Sequence, residues 1–176
     1  MQQQEVDQRT FPGDPMMRWL QLLAMVVWVG GIIFFAFVLA PVGFHTLRSV
    51  QLAGSVVGAT LKVFDLIAFG CGLLFLSVTG WLYVQSPMRL KGRYELELLL
   101  AGIMLLATAY LHWGILPPMD RDRAQAGGDI STLAPDNPAR IHFDRFHSRS
   151  EHVEELVLIV GLGMLFLLSR GGIRDE

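Results

Sequence analysis

This chain of 176 residues contains four long apolar stretches without a charged residue. They lie between Arg18 and Arg48, between Asp65 and Arg89, between Glu97 and Asp120, and between Glu155 and Arg170. An apolar helix of about 20 residues, rising about 1.5 Å per residue, matches a hydrocarbon core about 30 Å thick. The pattern therefore predicts an all-α fold, a four-helix transmembrane bundle whose main partner is the lipid bilayer.

The positions of proline and of polar segments set the predicted boundaries of this membrane domain, residues 16–170. The four helices are expected at about 16–39, 62–84, 94–116 and 148–169. Pro41 and Pro117-Pro118 are expected to end the first and third helices, because proline interrupts helical hydrogen bonding. Residues 43–60 are amphipathic and predict a segment at the membrane interface or packed on the bundle. Residues 1–15 and 171–176 are predicted to be polar tails.

Composition narrows the class of protein. The chain is 52% hydrophobic and 17% charged, which excludes a disordered chain. Its net charge of −2 provides no basic surface for nucleic acid. No nucleophile elbow, P-loop, zinc-binding HExxH or haem-binding CxxCH motif occurs in the sequence. The sequence thus leans away from an enzyme, and homo-oligomerisation stays open.

The five histidines are predicted to lie on one face of the membrane. Four crossings place the ends of helices one and three, and the starts of helices two and four, on a common side. His45, His112, His142, His147 and His152 all fall there. We call this side the histidine face.

Ionisable side chains at the histidine face are the candidate site residues. His147, Glu151 and Glu154 form one stripe on a helix, because their spacings are four and three. Histidine and carboxylate bind zinc, copper or iron, and the same pair can shuttle protons. We expect His112 and His147 to point toward each other, within reach of one shared ion or water.

Other residues complete this hypothesis of a metal or proton site. Glu151 or Asp65 is the expected carboxylate, and His45 is a further candidate ligand. The alternative interpretation is a hydrated helix end without a ligand, in which Arg145 and Arg149 balance the glutamates. For Asp65, the alternative is a local ion pair with Lys62, three residues away, that closes the end of the helix. A further alternative is a membrane redox enzyme with a haem-type cofactor.

Two pairs of glycines predict close helix packing. Gly30 and Gly31 lie inside the first helix, and Gly54 and Gly58 have the small-xxx-small spacing that lets membrane helices approach closely.

The charges near the helix ends bear on orientation. Arg89, Lys91 and Arg93 lie in a short loop close to helix ends, where basic residues favour the cytoplasm. The sequence therefore predicts that both termini are cytoplasmic.

Several short motifs give the chain a family resemblance. They are Trp28-Val29-Gly30-Gly31, Ala40-Pro41 with Phe44, Ala53-Gly54 with Val57-Gly58, Pro118-Met119-Asp120 with Arg123, and Phe143 to His147 with Ser150. In order and spacing they resemble the bacterial domain of unknown function four-one-four-nine, whose eukaryotic relatives are the TMEM two-hundred-and-five-like proteins. The resemblance implies four membrane helices, no settled activity and, for a bacterial protein, the inner membrane.

A more distant likeness is to the copper-resistance protein D-like group, which includes a membrane protoporphyrinogen oxidase. There a haem-linked histidine precedes the tryptophan of the first helix by seven residues. The matching position here is Gln21, so the resemblance implies metal handling without the same haem site.

Overall fold

The computed structural model describes residues 15–171, so almost all of the two predicted tails lies outside the described residues. The helices are α1 (Pro15–Phe34), α2 (Ala40–Thr46), α3 (Val50–Gln85), α4 (Met88–Ala109), α5 (Leu116–Gln125) and α6 (Pro138–Gly171). Phe35–Leu39 and Tyr110–Ile115 are π-helical, and Ile130–Thr132 is a short 3-10 turn. No strand occurs in the described part of the chain.

These elements join into four rods that are long and apolar enough to cross a membrane. The rods are Pro15–Thr46, Val50–Gln85, Met88–Gln125 and Pro138–Arg170. The prediction of an all-α bundle of four spanning helices is thereby confirmed. Each rod extends beyond its predicted range, because the charge-free run marks only the part of a helix that matches the hydrocarbon core.

The prediction that proline ends the first and third helices is wrong. The chain stays helical through Pro41 into α2 and through Pro117-Pro118 into α5. A π-helical segment lies directly before each site, at Phe35–Leu39 and at Tyr110–Ile115. A proline inside a helix lacks one N–H and crowds the preceding carbonyl. The wider π turn changes the hydrogen-bond pattern there, and the helix continues.

The amphipathic residues 43–60 are divided between two helices. Gly43 to Thr46 belong to α2, and residues 50–60 form the first three turns of α3. The Ser49 hydroxyl begins α3, because it accepts a hydrogen bond from the Leu52 amide at 3.1 Å, as a helix N-cap does. This part of α3 projects beyond the predicted second span at the histidine face.

The core is formed where all four rods meet. Helix α3 packs against α1 and α4, and α6 packs against α1, α4 and α5. Trp28, Phe75, Met104 and Met164 are each at most 1% exposed and bring the four rods together in one cluster. Large apolar side chains such as Leu106 remain on the outside, 73% exposed, as expected for a surface in contact with lipid.

The two glycines of the first helix have different surroundings. A Cβ at Gly31 would overlap the ring of Phe64 on α3, whereas a Cβ at Gly30 would have no neighbour within 4 Å. Gly31 thus permits the close approach of α1 and α3 that small residues provide in membrane bundles. Gly161 of α6 has a similar role, since its Cβ would lie 2.6 Å from a methyl group of Val29.

This difference predicts unequal effects of the same substitution. Gly31→Leu should lower the free energy of unfolding by about 1–3 kcal/mol, because overpacking displaces neighbouring side chains. Gly30→Leu is the matched control and should change it little. Unfolding of both variants in the same detergent measures the difference. Equal loss of stability in the two variants would contradict the assigned packing.

Candidate functional site

A large cavity opens in the bundle at the histidine face. Its volume is about 850 Å³, within the range of roughly 300–1,000 Å³ that small-molecule sites occupy. Its wall comes from the ends of the first three rods, the α5–α6 connection and the first half of α6. The polar lining consists of Gln51, Lys62, Asp120, Arg123, Asp129, Ser131, His147, Ser150, Glu151, Glu154 and Glu155.

Two ion pairs lie on the outer part of this wall. Lys62 Nζ is 2.5 Å from Asp120 Oδ2, and His147 Nε2 is 3.5 Å from Glu151 Oε1. All four side chains are more than 40% exposed, and such exposed pairs contribute only about 0–1 kcal/mol. Each pair can therefore open at small cost when a ligand competes for its charges.

The predicted ion pair between Lys62 and Asp65 is wrong. Lys62 lies at the edge of the cavity and bonds to Asp120 of α5, whereas Asp65 is only 3% exposed. Three residues along a helix turn a side chain by about 60° from its starting direction. That rotation directs Asp65 into the bundle and leaves Lys62 at its rim.

The buried Asp65 belongs to an inner cluster contributed by three rods. Its Oδ2 lies 3.3 Å from Nδ1 of His112, whose side chain is 19% exposed. Glu154 of α6 is half-buried and close enough to Asp65 for direct electrostatic interaction. We call Asp65, His112 and Glu154 the inner polar cluster.

A small cavity lies between Asp65 and Glu154 of this cluster, whereas His112 does not line it. Its volume is about 20 Å³, and Asp65, Thr108 and Glu154 supply the polar part of its wall. That volume exceeds the roughly 10–15 Å³ that one water requires. Glu154 lines both this cavity and the large one. It therefore connects the inner polar cluster to the opening at the histidine face.

The π-helical segment of the third rod positions His112. A π turn rotates the following side chains relative to an α-helix, and such turns are frequent at functional sites. Trp113 packs edge-on against the imidazole at 5.0 Å and against Phe69 of α3 at 5.3 Å. These contacts restrict the ring of His112 and bring Nδ1 toward Asp65.

The other predicted ligands lie apart from this cluster. His45 is exposed in the last turn of α2 and is not among the residues that line either cavity described above. His112 and His147 are paired with different carboxylates, Asp65 and Glu151. Across residues 15–171, no three His, Cys, Asp or Glu side chains are grouped closely enough to hold a metal ion.

A comparison with known protein families identifies the family of this chain. Residues 23–127 match the family described as Domain of unknown function (DUF4149). The chain belongs to the DUF4149 family. No curated protein and no solved structure matches it. The matched range contains Asp65, His112 and Arg123 but ends before α6. The four spanning helices make this DUF4149 member a small integral membrane protein.

Four of the five motifs that carry the family resemblance meet at the large cavity; the exception is Trp28-Val29-Gly30-Gly31, none of which lines it. Its lining includes Ala40, Pro41, Phe44, Gly54, Val57, Gly58, Met119, Asp120, Arg123, Phe143, His147 and Ser150. These residues come from separate positions in the DUF4149 chain and share no local element. Their common location is therefore a property of the folded bundle.

The side chain of Arg123 in this DUF4149 protein lies against Gly54 and Gly58, the two glycines that were predicted to pack against a helix. A Cβ at either glycine would lie 3.5 Å from a guanidinium nitrogen of Arg123. On its other side, the guanidinium carbon lies 5.3 Å from the centre of the Phe143 ring. The two glycines therefore leave room for an arginine side chain and not, as predicted, for the backbone of a neighbouring helix.

A second polar cluster lies at the opposite end of the bundle. Glu97 is fully buried and accepts a hydrogen bond from Nε of Arg93 at 2.8 Å. Gln21 is also buried and donates to the hydroxyl of Thr79 at 2.8 Å. The amide of Gln21 thus joins α1 to α3 at this end of the bundle.

Two features of the histidine face were missed by reasoning from sequence. Arg123 has no fixed spacing to Phe143, so its position between α3 and α6 needed the fold. His142 lies 2.6 Å from Asp122, a pair joined across the long α5–α6 connection. Asp122 lies in α5 because the helix continues beyond Pro117-Pro118. The sequence predicted a helix end there, so it did not indicate that Asp122 would lie close to His142.

Proposed function

We propose that this DUF4149 protein binds a cation, in the first place a proton, at the inner polar cluster. The observation that carries the proposal is the burial of Asp65 against His112, with Glu154 facing it from a third rod. Ionisable groups inside a membrane domain are costly and usually functional. Two such groups, Asp65 and Glu154, line one small cavity, and His112 contacts Asp65; this grouping favours a binding site over chance.

The geometry favours a proton over a metal ion. A metal site needs three or four donors at about 2.0–2.3 Å from one point, and no such group is formed within the described residues. A proton needs only a donor and an acceptor, which His112 and Asp65 provide at 3.3 Å. The metal ligand set of His112, His147 and Glu151 would require these side chains to move together.

The charges of the large cavity support entry of a cation from the histidine face. Its carboxylates are Asp120, Asp129, Glu151, Glu154 and Glu155, and its basic groups are Lys62, Arg123 and His147. An excess of negative charge in a cleft with apolar walls raises the local concentration of cations. Glu154, which lines both cavities, then provides the path for the cation from the large cavity to Asp65.

The interior favours binding at one face over passage across the membrane. Between Asp65 and Thr79, the buried residues of α3 are Ala68, Gly72, Phe75 and Val78. None of these side chains exchanges a proton. The inner polar cluster and the cluster around Glu97 therefore act as separate sites in this conformation.

The basic residues at the start of α4 support an orientation. Arg89, Lys91 and Arg93 were predicted in a loop but lie in the first two turns of α4, and basic residues close to a helix end favour the cytoplasm. We propose a bacterial inner membrane protein with cytoplasmic termini. The histidine face and its cavity are then periplasmic.

Trp113 provides a reporter for the proposed function, because protonated imidazole quenches an indole in contact with it. In sealed vesicles, acid added at the histidine face should quench Trp113, and acid at the other face should not. His112→Asn should abolish the response and Asp65→Asn should reduce it. Trp113→Phe supplies the background from the other tryptophans.

Asp122→Asn is the matched control, since it removes the carboxylate of the other histidine pair and should leave the Trp113 response unchanged. Quenching that survives in His112→Asn would contradict the proposal. Stoichiometric zinc or copper in purified protein, lost in His112→Ala, would favour a metal site instead. The absence of both the Trp113 response and bound metal would favour a structural protein with a hydrated helix end.

A further inference from the structure

The large cavity is amphipathic and opens sideways toward the bilayer. Phe37 of the first rod and Ile159 of the fourth line it, yet they are 69% and 61% exposed on the outer surface of the bundle. Leu162, one turn deeper on the fourth rod, is 48% exposed and also lines it. A chain of methylene groups can therefore enter from the lipid without crossing water.

Arg123 lies in the polar wall of the same cavity with its donors unengaged. Its guanidinium is held between the glycine surface of α3 and the Phe143 ring. Within residues 15–171 it forms neither a hydrogen bond nor an ion pair. A planar guanidinium fixed in this way matches the bidentate geometry of a phosphate group.

Carboxylates on the α6 side of the cavity supply the complementary charge. Glu151 and Glu155 line the wall, are exposed, and are four residues apart on α6. They lie on the same helix as Phe143, which packs on Arg123. The wall therefore presents a fixed cation beside two accessible anions, above an apolar surface.

We propose that the cavity binds a zwitterionic phospholipid of the ethanolamine type from the adjacent leaflet. Its phosphate contacts Arg123, its ammonium group contacts Glu151 or Glu155, and one acyl chain follows the apolar wall toward Leu162. The excess of carboxylates disfavours a lipid with net negative charge. The apolar wall gives a free phosphate ion nothing to bind, so the bilayer is the source of the ligand.

Binding of lipids to the purified protein in detergent tests this proposal by native mass spectrometry. Dioleoyl-phosphatidylethanolamine should bind as one copy, more tightly than dioleoyl-phosphatidylglycerol. Arg123→Gln should weaken binding of the ethanolamine lipid by at least about tenfold, because hydrogen bonds to charged groups are lost. Inorganic phosphate at millimolar concentration should not displace the lipid.

Arg149→Gln is the matched control. Arg149 also stacks on an aromatic ring of α6, Phe146, at 5.5 Å, but it does not line the cavity. Its substitution should leave lipid binding unchanged. Glu151→Gln with Glu155→Gln should weaken binding of the ethanolamine lipid and reduce its advantage over the glycerol lipid.

Three results would overturn the proposal. They are wild-type affinity in Arg123→Gln, equal affinity for the two lipids in the unmodified protein, and displacement of the lipid by inorganic phosphate, which would indicate a free-phosphate site. If Arg123→Gln fails to fold, Arg123→Lys retains the charge without the planar fork, and its wild-type affinity would equally overturn the proposal.

Discussion

Replacing Arg93 with alanine is expected to destabilise the bundle more than any other single change of charge considered above. Glu97 is fully buried, and Arg93 donates the hydrogen bond to its Oε1 at 2.8 Å. Removing one partner of a buried ion pair costs about 3–5 kcal/mol, because the remaining charge loses its hydrogen-bonded partner. Unfolding in detergent by a denaturant titration measures the loss.

A second substitution distinguishes the buried charge from lost packing. Arg93→Ala combined with Glu97→Gln should recover most of the stability, because no uncompensated charge then remains. Arg18 also attracts Glu97 electrostatically, so the loss in Arg93→Ala should lie toward the lower end of that range. A double variant as unstable as Arg93→Ala alone would show that packing of the arginine side chain is responsible.

Lys62→Ala provides the control for an exposed pair. Lys62 and Asp120 are 41% and 42% exposed, so water and salt screen their attraction. We expect a change of less than about 1 kcal/mol. A loss as large as that of Arg93→Ala would contradict the distinction drawn here between the rim of the cavity and the buried end of the bundle.

The sequence predicts the architecture because a single physical requirement dominates it. A segment in hydrocarbon must satisfy its backbone internally and expose apolar side chains, and this leaves long charge-free runs that are easy to see. The same requirement does not indicate where the helices end, because their ends lie outside the hydrocarbon. Residues 43–60 and Pro117-Pro118 lie where water and protein replace lipid, and there local turn chemistry decided the structure.

The candidate site was predictable only in part. The sequence brings Asp65 and His112 to the same face, since depth in the membrane follows from position along a helix. Which side chains meet depends on how each helix is rotated. The π segment around His112 and the packing of Arg123 against Gly54 and Gly58 set that rotation at the cavity. No spacing within one helix specifies either feature.

The central claim is that a polar cavity opens to water only at the histidine face. Cysteine labelling tests it in a background where Cys71 is replaced by alanine. Ser131 and Glu155 both line the cavity and are exposed. Met88, which is 82% exposed, marks the opposite face, and Met164, at 0% exposure, marks the core.

A small, cationic, membrane-impermeant methanethiosulfonate reagent should modify Ser131→Cys and Glu155→Cys from one side of sealed vesicles. It should modify Met88→Cys only from the other side, and Met164→Cys from neither. If the termini are cytoplasmic, the face of Ser131 is the periplasmic one. Labelling of Glu155→Cys from the Met88 side, or its complete protection while Ser131→Cys reacts, would contradict a water-filled cavity at the histidine face.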